Sequence, residues 1–87
     1  MSFKKLRGVN LPEKKQGLIR YTCLNILDQP VWMRKKFERL CVECGGVYHC
    51  ALREIMTTER SVTEVALKYH VDESVIYRAR KSFYENW

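Results

Sequence analysis

The chain has 87 residues, enough for one domain with a modest core. It carries 16 Lys+Arg against 10 Asp+Glu, a formal net charge of +6 and an isoelectric point near 9.3, a balance that favours polyanions such as nucleic acid. No apolar run approaches the roughly 20 residues that cross a bilayer. No apolar stretch follows the N-terminal basic residues as a secretory signal would require. The expectation is a cytoplasmic protein with no membrane contact, whose four cysteines are reduced thiols or metal ligands.

Charge is unevenly spread. Residues 1–20 hold a net of +5, residues 21–60 a net of +1 and residues 61–87 a net of zero. Residues 1–9 read as a flexible basic arm carrying Lys4, Lys5 and Arg7, and residues 10–87 as a single helical domain. Asn10-Leu11-Pro12-Glu13 reads as a helix start, with Asn10 as the cap and Glu13 reaching back to it. This first helix is predicted to run to about Leu27, with Leu18, Tyr21 and Ile26 facing inward. Asp28-Gln29-Pro30 ends it and starts the next.

The second helix has the clearest period. Met33, Phe37, Leu40, Cys41 and Cys44 form one apolar stripe, with Arg34, Lys35, Lys36, Glu38 and Arg39 opposite. Gly45-Gly46 stops it. A third helix is predicted from Val47 to about Met56, apolar at Val47, Tyr48, Ala51, Leu52, Ile55 and Met56. No strand signal is present, so the fold class is all-α, a small bundle of about five helices.

The last of these helices form the most informative segment, residues 61–83, which reads as a helix-turn-helix. Ser61 and Glu64 have capping-box spacing, and Val62, Val65, Ala66 and Tyr69 have helical spacing. His70-Val71 breaks the pattern, Asp72 caps a second helix, and Val75, Ile76, Ala79 and Phe83 are expected to face the core. That second helix, about 72–84, is the one such motifs place in the major groove. Glu73, Ser74, Tyr77 and Arg78 are then the candidate base contacts. Arginine matches guanine O6 and N7, and a glutamate accepts from cytosine N4. Thr63, Arg80 and Lys81, together with Lys4, Lys5 and Arg7 of the arm, are the candidate backbone contacts. His70 stands where the motif most often has glycine; histidine is among the residues enriched in the left-handed conformation.

The segment EVALKYHVDESVIYRARKSFYENW resembles the helix-turn-helix of bacterial phage and mobile-element transcription regulators of the ArpU/RinA type. It is also similar to the DNA-binding end of sigma-70-type factors. Val65, Ala66, Val71, Glu73, Ser74, Ile76, Tyr77, Arg78, Arg80 and Lys81 carry the likeness, which covers roughly the last third of the chain. It implies sequence-specific binding of double-stranded DNA and transcription regulation, with no sign of activation or repression.

Cys41-x-x-Cys44 followed by His49-Cys50 offers soft ligands for zinc, with Cys23 as a substitute for one of them. The same cysteines continue the apolar stripe of the second helix, and free cysteine packs as a small hydrophobe. No cofactor is therefore expected, and zinc is the alternative. No phosphate loop, zinc-protease motif or paired acids appear, so an enzyme is not expected. The competing function class is a helical interaction module binding RNA polymerase or another phage or host protein, or a small zinc-binding adaptor. A homodimer is expected on the DNA-binding reading, because one small reader helix seldom supplies enough specificity and two-fold regulators read paired half-sites.

Overall fold

The computed structural model describes residues 5–87, and every regular element among them is helical. The order is α1 (Glu13–Leu24), a 3-10 turn (Ile26–Asp28), α2 (Val31–Gly45), a second 3-10 turn (Gly46–Tyr48), α3 (His49–Thr57), α4 (Val62–Tyr69) and α5 (Glu73–Asn86). No helix of the described residues is long and apolar enough to cross a membrane.

Proline sets both early helix starts. Pro12 precedes α1 and Pro30 precedes α2, with φ of −59° and −57°. Their fixed φ suits a helix entry, and the missing N–H lies where no intrahelical partner exists. The expected cap at Asn10 does not form: α1 has no side-chain cap, and the Asn10 N–H donates to Glu85 Oε2 at 3.0 Å. At the other end of α2, Gly46 takes φ 55°, and its N–H donates to the carbonyl of Val42. Only glycine adopts that backbone with ease.

The core lies where α2, α3, α4 and α5 meet. Phe37 and Leu40 come from α2, Leu52, Ile55 and Met56 from α3, Val65 from α4, and Ile76 and Phe83 from α5. Phe83 is its aromatic centre, edge-on to Phe37 at 5.7 Å and tilted against Trp87 at 5.7 Å. Burying such a ring stabilises by roughly 1.5–3 kcal/mol.

α1 joins this core by a face the sequence pattern did not favour. Leu18 and Tyr21, expected inside, are 68% and 47% exposed, while Gln16, Ile19 and Cys23 are buried. The helix also ends at Leu24 and not near Leu27, because the chain tightens into the Ile26–Asp28 turn. Both faces carry apolar residues, and Gln16 disguises the buried one as polar. The third helix starts late for a similar reason. Gly46 redirects the backbone, so Val47 and Tyr48 sit in the 3-10 turn, 87% and 42% exposed.

Gln16 is fully buried and holds the segment that precedes α1. Its Oε1 accepts from the Leu6 N–H at 2.9 Å. Its Nε2 donates to the carbonyls of Leu11 at 2.9 Å and Val9 at 3.4 Å. Val9 is buried and Leu6 packs on the core. The described part of residues 1–9, expected as a flexible arm, is thus pinned at Leu6 and Val9, with Lys5 and Arg7 exposed beside those anchors.

Two charged side chains fix the helix order further. Arg20 of α1 donates to the carbonyls of Ile55 (2.6 Å), Met56 (3.1 Å) and Thr58, closing the last turn of α3. A cation at a helix C-terminus satisfies free carbonyls and complements the dipole. Glu54 of α3 accepts from Lys68 Nζ at 2.6 Å and lies 3.5 Å from Arg60, holding both flanks of α4. Lys68 first, then the charges of Lys68 and Arg60, keep the Glu54 carboxyl below its ordinary value.

Candidate nucleic-acid interface

α4 and α5 are built by local signals that agree with one another. Ser61 Oγ accepts from the Glu64 N–H at 3.1 Å, and the Ser61 N–H donates to Glu64 Oε1 at 3.3 Å, a closed capping box. His70 ends α4 in the left-handed conformation, φ 56° and ψ 44°. The Val71 N–H then folds back onto the Ala66 carbonyl at 3.1 Å, so the chain reverses within three residues of Tyr69. Asp72 Oδ1 accepts from the Ser74 N–H at 2.8 Å and starts α5. The Ser74 hydroxyl, its N–H and the nearby charge of Arg78 hold the Asp72 carboxyl below its usual range.

This geometry sorts α5 into two sides. Ile76, Ala79, Phe83 and Tyr84 are buried. Ser74, Tyr77, Arg78 and Lys81 are exposed, at the three- and four-residue spacing of one helix face. Arg78 lies along that face, its Nε donating to the Ser74 carbonyl at 3.4 Å. Neither Arg78 nor Lys81 forms an ion pair among the described residues.

Other candidate residues are differently placed. Thr63 Oγ1 donates to Glu73 Oε1 at 2.6 Å, across the gap between α4 and α5. The pair lines a shallow depression together with Ala66, Leu67 and Val71. Arg80 is half-buried and packs its guanidinium 5.2 Å from the centre of the Tyr77 ring. Burial lowers its affinity for the proton; Tyr84 and Tyr77 oppose that shift and the charge of Arg20 adds to it. Lys36 covers Trp87 at 4.5 Å. Lys4 lies outside the described residues. Lys5 and Arg7 precede Asn10, whose N–H reaches Glu85 in the last turn of α5. Glu85 is 11 residues beyond Ser74, about 17 Å along the helix axis at 1.5 Å per residue. The basic segment therefore joins α5 at the end opposite the candidate base contacts.

The zinc candidates do not converge. Among the described residues, no three His, Cys, Asp or Glu side chains form a cluster able to hold a metal. Cys23 and Cys41 are buried in the core, where desolvation first pushes their thiols up to about 12; Cys44 is half-buried and Cys50 exposed. The His49 ring faces the Gly46 carbonyl, Nδ1 to oxygen 3.0 Å.

Sequence reasoning missed Arg20, Gln16 and the Thr63–Glu73 pair. Arg20 and the Thr63–Glu73 pair join segments ten or more residues apart, and Gln16 reaches back five to ten residues into an irregular segment, so none leaves a periodic pattern. No family model matches the chain, and neither a curated protein nor a solved structure matches it.

Proposed function

We propose that the chain is a sequence-specific double-stranded DNA-binding protein of the transcription-regulator kind. In this reading α4 and α5 act as a helix-turn-helix, and α5 enters the major groove. The observation that carries it is the outward face of α5: Ser74, Tyr77, Arg78 and Lys81 stand exposed, and Arg78 and Lys81 form no ion pair among the described residues, directly after a capped, left-handed turn.

The roles follow from reach and chemistry. Ser74 and Arg78 lie in the first turns of α5, the part of such a helix that meets base edges. Arg78 has the donor fork that suits guanine. Glu73 is steadied by Thr63 through one oxygen, which leaves the other to accept from a cytosine amino group. Lys81 and Arg80 serve the phosphates, and Tyr77 lies between the two sets. Phosphate contacts fix register, and base contacts choose sequence.

A fluorescence-polarisation titration of the full chain against a random duplex tests the reading. Binding is expected at ~50 mM salt, weakening steeply as salt rises. No binding at ~50 mM salt, where phosphate contacts are strongest, overturns it.

A further inference from the structure

α2 turns Phe37, Leu40 and Cys41 to the core and leaves its other side uncovered. Its first turn exposes Val31 (55%) and Trp32 (64%), and the 3-10 turn ahead of it exposes Leu27 (85%). Three large apolar side chains thus stand in solvent within six residues. Val31, Arg34, Lys35 and Glu38 line one shallow depression, at the spacing of a single helix face.

The charges around this patch are not balanced. Glu38, the acid nearest Arg34 and Lys35 in sequence, is bonded to Arg53 of α3. Arg34 and Lys35 are exposed and make no ion pair among the described residues. The start of α2 therefore sets exposed apolar side chains, Val31 in the same depression, beside two cations that form no ion pair among the described residues.

A DNA backbone would satisfy the cations and leave Leu27, Val31 and Trp32 wet. A purely apolar partner would cover those three and strand the charges. A helix with apolar anchors along one face and carboxylates beside them satisfies both. Its anchors would cover Trp32 and its neighbours, and its carboxylates would meet the Arg34 fork and the Lys35 ammonium. Tryptophan and arginine are the side chains that most often concentrate binding energy at such contacts. We propose that the surface formed by Leu27, Val31, Trp32, Arg34 and Lys35 docks an acidic amphipathic helix of another protein. The site uses no residue of α4 or α5, so it and the DNA reading can fail separately.

An amide chemical-shift titration of the full chain tests the proposal. The probe is a synthetic helical peptide with Leu and Phe along one face and Glu on its flanks. Shifts are expected at residues 27–35 and to fade with added salt. Arg34→Glu with Lys35→Glu, and separately Trp32→Ser, should each weaken binding about tenfold or more, a loss of ~1.4 kcal/mol. Lys14→Glu with Lys15→Glu reverses two exposed charges on α1 and should leave affinity within about twofold. All these sites are exposed, so the variants should fold, which circular dichroism checks.

Four results would overturn the proposal. One is no shift at residues 27–35, and another is equal loss from both charge-reversed pairs. A third is equal binding of a scrambled peptide of the same composition. The last is a different occupant: phosphatidylserine vesicles preferred over the peptide, or self-association of the chain through the same residues.

Discussion

At the scale of single residues, Gln16 is the clearest case of a polar side chain doing structural work. It is fully buried, and both ends of its amide are used: Oε1 accepts from Leu6, and Nε2 donates to Leu11 and Val9. A leucine has similar bulk but cannot answer those groups, and a buried partner left unpaired costs about 1–3 kcal/mol. Gln16→Leu and Gln16→Ala are both expected to destabilise by roughly 2 kcal/mol in chemical denaturation. They should also remove hydrogen-exchange protection from the Leu6 amide, whose N–H Gln16 accepts. If Gln16→Leu is neutral and Leu6 stays protected, packing alone holds the segment. The thiols contrast with this residue. Cys23 and Cys41 need no partner, because burial keeps them protonated and they fill space as hydrophobes.

At the scale of elements, the turn between α4 and α5 concentrates the local information of the chain. His70 holds φ 56°, a backbone that costs an L-residue roughly 1–2 kcal/mol and glycine nothing. His70→Gly removes that strain but adds freedom to the unfolded chain. The net is an expected gain of about 0.5–1 kcal/mol, read as a higher denaturation midpoint. His70→Val, β-branched at the same φ, should lose at least ~1 kcal/mol. A loss of stability in the glycine variant would show that the imidazole itself matters. This turn also shows what a sequence makes legible. The Ser61–Glu64 box, the Asp72 cap and the stop at Gly46 are contacts or conformations within a few residues, and all stand in the structure where the pattern put them. The inward face of α1 was not legible, because Leu18 and Tyr21 compete with Ile19 and Cys23 for one core and only tertiary packing decides. Arg20, counted as one more basic residue of the N-terminal third, is committed to the carbonyls at the end of α3.

At the scale of the whole molecule, the question is where a charge of +6 acts. The segment that includes α4 and α5 has no net charge, whereas the first 20 residues hold +5. The described start of that basic segment is tied to the body by Gln16 and to the end of α5 through Asn10 and Glu85. On the DNA-binding reading, the two charge sets should separate in experiment. Lys5→Ala with Arg7→Ala removes exposed cations of the segment that Asn10 ties to Glu85, 11 residues along α5 from Ser74. It should weaken every duplex alike and cut the dependence of log Kd on log salt by about 2. Lys81→Ala should act in the same way by about 1. Arg78→Ala should instead erase roughly 1–3 kcal/mol of discrimination at one base pair. Paired titrations of a selected duplex and a random one at several salt concentrations read both quantities at once. Should Lys5, Arg7 and Arg78 all shift discrimination equally, the division between a selecting helix and an attracting segment is wrong. Should the Lys5 and Arg7 pair leave the salt slope unchanged, the N-terminal charge lies off the DNA, and the attraction must come from other cations of the chain.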